Sequence, residues 1–287
     1  MKTSLSLVLT LATLWLLSPV QAQSRQSTEK ISKEFTLSGD ASRQVLALYN
    51  IFGSVTVQGY SGSKVLLEAT KTVSADAAAT LEAGKKGVQL GFLQRNDSLV
   101  VYLSGPHDSR PRRNHSWSSD EVDYKYEVDF VLKVPYAINL HAATINGGEV
   151  NIQDVAGALS AHNVNGAIRI KNAKAGTKAH TVNGNVDVSY AASPAGSSSY
   201  KTINGEINVT YPKDMGGDVH FKSMHGELYT NFAQAQMLPR QVTQSQQKEG
   251  NGTKYKITKD TAVRLGKGGP DLRFETLNGD VTIKQQD

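Results

Sequence analysis

The sequence predicts an all-β fold, a single-domain β-solenoid with rungs of about 18–21 residues and one short helix. Three observations carry this expectation. A strand–Asn-Gly–strand unit recurs seven times, and its glycines fall at a near-constant spacing through the middle of the chain. The composition holds 25 glycines against only 7% aromatics, which favours short strands joined by many turns.

The units centre on Asn146-Gly147, Asn165-Gly166, Asn183-Gly184, Asn204-Gly205, His225-Gly226 and Asn278-Gly279, with Phe52-Gly53 an early variant. After each glycine the second and fourth residues are apolar in nearly every copy, as in Ile168/Ile170, Val186/Val188 and Ile207/Val209. That alternation is what a half-buried strand requires. Ahead of the Asn position, a second apolar alternation runs through pairs such as Leu46/Leu48, Leu140/Ala142 and Leu272/Phe274. The residue immediately ahead of the Asn position is apolar again (Ile145, Val164, Val182, Ile203, Leu277). The inward parity is therefore expected to switch at the Thr or Asn in between, making a corner. Glycine supplies the backbone freedom such a bend needs, and Asn tolerates a left-handed conformation.

Asn-Gly between alternating strands is also the usual hairpin signal. Spacing argues for stacked rungs instead: from Gly148 the glycines step by 18, 18, 21 and 21 residues to Gly226. Stacked copies would bring Asn146, Asn165, Asn183, Asn204 and Asn278 into an internal amide ladder.

In these residues the chain resembles the "putative adhesin" family of β-strand-repeat proteins of bacterial envelopes, a domain without assigned function. The likeness runs through Asn50 to Glu68, Lys133-Val134-Pro135, the tandem units from Thr144 to Leu228, and Leu265-Gly266-Lys267-Gly268-Gly269 ahead of the last unit. The resemblance implies a right-handed parallel β-helix or roll and no enzymatic residues.

Taken in order, Met1 to Ala22 reads as a secretory signal peptide, with Lys2 before an apolar run and Ser18-Pro19-Val20-Gln21-Ala22 as the cleavage region. Residues 23–287 then form the single domain, carrying polar insertions at 104–121 and 233–252. Val65 to Thr70 is a strand, and Ser74 to Lys86 a short Ala-rich helix capped by Ser74. Val88 to Phe92, Leu99 to Leu103, Tyr124 to Val134 and Lys254 to Thr258 are strands, and the Gln-rich 233–252 stretch is an excursion between the last two units. With no cysteine, the exported chain holds no disulfide and no lipid-acceptor thiol. No second apolar run is long enough to span a membrane. Formal net charge is +5, or +4 without Lys2, too mild to point to nucleic acid.

The candidate sites lie mostly in outward rows. One row holds His162, His180, Lys201 and Lys222; it lacks a third metal ligand and reads as a polar surface. Another pairs Arg169 with Asp187, followed by Asn208 and Tyr229. Glu206 above Glu227 has the carboxylate spacing of a retaining glycosidase but no cleft. Tyr190 and Tyr211 continue the inward parity. The basic, aromatic segment with Arg110, Arg112, Arg113, His115 and Trp117 is the binding candidate, suited to an anionic glycan. The expectation is a non-catalytic envelope protein, periplasmic or at the cell surface, with no metal and no cofactor. An anionic glycan or another envelope protein is its partner class. A carbohydrate-active β-helix enzyme and a structural or signalling component are the alternatives.

Overall fold

Residues 24–111, 121–239, 241–249 and 252–286 are described by the computed structural model. The first part of the chain forms β1 (Arg25–Thr36), β2 (Val45–Tyr49), β3 (Val55–Tyr60), β4 (Lys64–Ala75), α1 (Ala78–Gly87), β5 (Gln89–Gln94), β6 (Ser98–Gly105) and β7 (Lys125–Pro135). The middle forms β8 (Asn139–Ala143), β9 (Val150–Gln153), β10 (Leu159–His162), β11 (Ile168–Ala173), β12 (Thr177–His180), β13 (Val186–Tyr190), β14 (Ser198–Lys201) and β15 (Ile207–Tyr211). The last part forms β16 (Gly217–Lys222), β17 (Leu228–Thr230), β18 (Ala235–Met237), β19 (Gln241–Glu249), β20 (Gly252–Leu265), β21 (Asp271–Glu275) and β22 (Val281–Gln285).

These strands build two sheets around one shared hydrophobic core. The ten-stranded sheet runs β1-β4-β7-β3-β9-β11-β13-β15-β22-β17. The twelve-stranded sheet runs β18-β20-β16-β21-β14-β12-β10-β8-β2-β6-β5, with β19 paired to β20. Each Asn-Gly unit contributes its leading strand to the larger sheet and its trailing strand to the smaller one. The inward residues of both, among them Leu46, Ala142, Ile168 and Val186, are fully buried.

The all-β class and the single short helix stand, but the parallel β-solenoid does not. Both sheets are mixed. β1, β4 and β7 pair antiparallel in long register, as do β5 with β6 and β20 with β16, β18 and β19. The physical reason is strand length. β1, β4 and β7 run 11 or 12 residues, far beyond the three to six of a unit's arm, so they outrun the rung and pair with one another in long antiparallel register. Glycine spacing constrains only the residues that carry it.

Two further expectations are corrected. The units do not stack in sequence order: β21 lies between β14 and β16, and β22 between β15 and β17. The Asn278 unit is thus inserted between the Asn204 and Gly226 units. Ser74 caps no helix, because it belongs to β4; α1 begins after Ala77 with no side-chain cap. At its other end, the buried Lys71 ammonium donates to the Lys85 and Val88 carbonyls and pairs with Glu29 at 2.7 Å, so a cation meets the negative end of the helix. Between the last two units in sequence, the Gln-rich stretch contains β18 and β19.

The corner also differs from its expected form. Parity does not switch at the Thr or Asn: Thr144, Asn163, Thr181, Thr202 and Thr276 remain inside. Each donates to the carbonyl of a glycine in the adjacent unit, as Thr144 does to Gly53 (2.8 Å), Asn163 to Gly148 (2.9 Å), Thr181 to Gly166 (2.9 Å) and Thr202 to Gly184 (2.9 Å). The apolar residue that follows turns outward instead, reaching 38% exposure at Leu277 and 72% at Met224.

Behind the corner the glycines approach one another closely. A Cβ on Gly205 would lie 2.1 Å from the Gly184 carbonyl oxygen, a backbone atom that cannot move aside. Deeper in the core, the Tyr190, Tyr200 and Tyr211 hydroxyls form a chain with links of 2.7 and 3.1 Å, so each buried phenol has a polar partner.

Two substitutions test this account of the corner. Gly205→Ala is expected to destabilise by about 1–3 kcal/mol through the backbone clash. Thr202→Val is expected to cost about 1–3 kcal/mol by leaving the Gly184 carbonyl unpaired. Denaturant melts check both, and unchanged midpoints would contradict the packing described.

Candidate functional site

The Asn-Gly corners line one edge of the molecule. Asn165 donates its side-chain amide to Asn146 (2.6 Å), Asn183 to Asn165 (2.7 Å), Asn204 to Asn183 (2.7 Å) and Asn278 to Asn204 (2.8 Å). The ladder is real but exposed rather than internal, because the Thr or Asn keeps the inward place and the two residues after it lie outside. Gly147, Gly166, Gly184, Gly205, Gly226 and Gly279 follow along the same edge. Gly226 meets Gly279 rather than Gly205, since the last unit has been inserted between them.

That insertion changes every row read from the sequence. On the ten-stranded sheet, Asp280 separates Glu206 from Glu227: Ile207 N–H donates to the Asp280 carbonyl, and Val281 N–H to that of Glu227. The Asp280 carboxylate accepts from the Glu227 backbone N–H at 2.9 Å. Thr282 likewise stands between Asn208 and Tyr229. Arg169 bonds Glu149 and lies 3.8 Å from Asp187, so it is neutralised on both sides.

The outer face of the twelve-stranded sheet has a different character. Parallel register places Tyr49, Ala143, His162, His180, Lys201, Glu275 and Lys222 in one row. The adjoining row carries Ala47, His141, Ser160, Lys178, Ser199, Arg273 and His220. Neighbours in a row sit about 4.8 Å apart.

Rings line one half of this face. Tyr49 lies 5.0 Å from His141, His141 5.2 Å from His162, and His162 5.3 Å from His180, measured between ring centres. Serine hydroxyls fix the imidazoles, Ser160 bridging His141 and His162 at 3.1 Å each, and Ser199 holding His180 at 3.0 Å. The histidines do not converge on a point, and no group of three potential ligands among the described residues is placed to hold a metal.

Cations line the other half. Glu275 lies 3.4 Å from Lys201 and 3.8 Å from Lys222, so one carboxylate is shared by two ammoniums. Lys178 and Arg273 have no carboxylate partner among the described residues, and they stand two strands apart in the same row.

Burial holds the histidines neutral. His141 is pushed down to about 4, first by burial and then by the neighbouring His162. His162 is lowered by burial and by Lys178, and His180 by burial, His162, Lys201 and Lys178, with Glu275 opposing.

Of the predicted binding segment, Arg110 is the one described member. It is bound bidentately by Asp108, at 3.0 and 2.5 Å, and its guanidinium lies 4.2 Å over the Tyr102 ring. Ser109 ties the same turn down by donating to the Tyr49 carbonyl at 2.8 Å. Arg110 is therefore anchored at the aromatic end of the face described above, since Tyr102 is the register partner of Tyr49. Arg112, Arg113, His115 and Trp117 lie outside the described residues, as does segment 1–22, expected to be a signal peptide.

The sequence reading missed His141, Tyr49, Lys178 and Arg273. His141 and Lys178 could have been found by extending the row one position back from the inward alanines. Arg273 could not, because its place beside Ser199 depends on the inserted unit.

No family model matches the chain, and no curated protein matches it. Among solved structures, the chain is similar to a "putative cell adhesion protein" from Clostridium sporogenes, with 13% identity, TM-score 0.46, and coverage of 90% of this chain and 100% of the other. It is also similar to a "putative adhesin" from Bacteroides fragilis, with 10% identity, TM-score 0.35, and coverage of 90% and 97% respectively. No helix among the described residues is long and apolar enough to cross a membrane.

The histidines make stability depend on pH. Their folded pKa values are depressed, that of His141 to about 4, so below the ordinary value of 6.5 the unfolded chain binds more protons. Stability is complete above the unfolded value and falls as pH drops through this window. Calorimetry from pH 7 to 4 is expected to show the melting temperature decline there. His141→Phe, which keeps ring contacts but cannot titrate, is expected to flatten the decline.

Proposed function

We propose that the chain is a non-catalytic, exported binding protein of the bacterial envelope. In this reading residues 23–287 act as one domain and hold an anionic glycan along the outer face of the twelve-stranded sheet. The observation that carries it is the row in which Lys178 and Arg273 have no carboxylate partner among the described residues, beside the ring run of Tyr49, His141, His162 and His180. Cations set at strand multiples suit an extended polymer with charges at intervals better than a compact ligand. The rings offer flat apolar faces to sugar C–H groups, and their bound hydroxyls keep them from turning.

Retention of the mature chain on heparin resin, with titration calorimetry against a sulfated oligosaccharide, tests this. The Lys178→Ala/Arg273→Ala variant is expected to elute at lower salt and to lose affinity about tenfold, or 1.4 kcal/mol. His162→Ala, assayed near pH 7.5 where the imidazole is neutral, should also weaken binding. That second effect separates a built site from simple ion exchange. Unchanged elution and affinity in both variants would overturn the reading.

A further inference from the structure

The opposite corner of the molecule, where the ten-stranded sheet turns back towards the larger one, carries a second arrangement. A groove of about 440 Å³ is lined by Tyr136, Asp154, Ala156, Asn172 and Lys174. Its volume lies in the range of small-molecule clefts, roughly 300–1,000 Å³.

Asp154 and Asn172 are the two non-glycine residues with positive φ among the described residues, at 58° and 59°. Such backbone costs on the order of 1 kcal/mol or more and tends to gather at ligand sites. Here it aims three amides at one carboxylate. Asp154 accepts from Asn172 Nδ2 at 2.7 Å, Gln58 Nε2 at 2.8 Å and Gln153 Nε2 at 3.1 Å. These bonds, that from Asn172 foremost, hold the carboxyl below its usual range and keep it ionised and oriented.

Tyr136 stands beside it with 48% of its surface exposed. Its ring reaches over Gly59, where an added Cβ would come within 3.0 Å of Tyr136 Cδ1 and 1.9 Å of the Asp154 carbonyl oxygen. The Ala156 N–H donates to the Tyr136 carbonyl at 2.6 Å, fixing the root of the ring. Lys174, exposed at the rim, forms no salt bridge among the described residues, and its charge helps to keep Asp154 ionised.

The mixture of charges selects the ligand. An isolated anion would be repelled by Asp154, and a cation by Lys174. A purely apolar molecule would strip water from both without replacing its hydrogen bonds. A neutral polyol meets all four demands: hydroxyl donors for Asp154 and for the Asn172 carbonyl oxygen, a hydroxyl acceptor for Lys174, and a C–H face for Tyr136 and Ala156. We propose that this groove binds a single neutral pyranose unit, stacked on Tyr136 and oriented by Asp154, Asn172 and Lys174. The site shares no residue with the cationic face and does not rest on its function.

Backbone amide NMR of the mature chain, titrated with the methyl glycosides of glucose, galactose and mannose, tests it. At least one sugar is expected to shift resonances at Tyr136, Asp154 and Asn172. Tyr136→Ala is expected to weaken that binding tenfold or more. Asn172→Gly, which accepts the left-handed backbone while removing the amide, should do the same with little change in melting temperature. Lys178→Ala/Arg273→Ala should leave it intact, so loss of the anionic-glycan reading would not remove this one. No shift with any of the three sugars, or binding that survives both groove variants, would overturn the proposal.

Discussion

The hydrogen bond from a buried Thr or Asn to a glycine carbonyl one unit away is the constraint on which the central fold depends. It satisfies a polar side chain inside the core while closing the bend between two strands of opposite sheets. The bend brings backbone against backbone so closely that only glycine fits, as the 2.1 Å approach of a Gly205 Cβ to the Gly184 carbonyl illustrates. Exposed asparagines then zip the outside of the same corner through their amides. Inner and outer bonds together lock the register, and register decides which side chains share a row.

Register is also what creates the candidate surfaces. No single unit carries a site. His141, Ser160 and His162 come from β8 and β10, and Lys178 and Arg273 from β12 and β21, yet parallel pairing lays them out on one face. The two faces diverge because their outward residues do. On the ten-stranded sheet Arg169 meets Glu149 and Asp187, and its charge is spent locally. On the twelve-stranded sheet a single carboxylate, Glu275, serves two lysines, and two more cations stay open to solvent.

Antiparallel strands cover one end of the ten-stranded sheet and both ends of the twelve-stranded one. A stack of parallel arms leaves unpaired N–H and C=O groups on its outermost strands, an invitation to aggregation. β4 and β7 cover that edge on one side, while β20 covers β16 on the other. The new outer strand β1 is almost wholly polar on its exposed face and carries Lys30 and Lys33, which discourages further pairing.

The sequence by itself determined the inward alternation, the Asn-Gly corners and the all-β class, because each is written in residues a few positions apart. The burial of Val186, Ile207 and Tyr211 follows from that local pattern alone. What lay beyond it was the order of stacking. Gly226 and Gly279 are 53 residues apart, yet they touch, and nothing local says that β22 should enter between β15 and β17. The tertiary structure alone set Glu275 between two lysines, Asp280 between two glutamates and Arg273 beside Ser199. Pairing partners are chosen by which edge is open and which side chains fill the core there, as Phe274 does against Tyr200 at 4.9 Å. That choice is a property of the assembled sheets, and no single strand contains it.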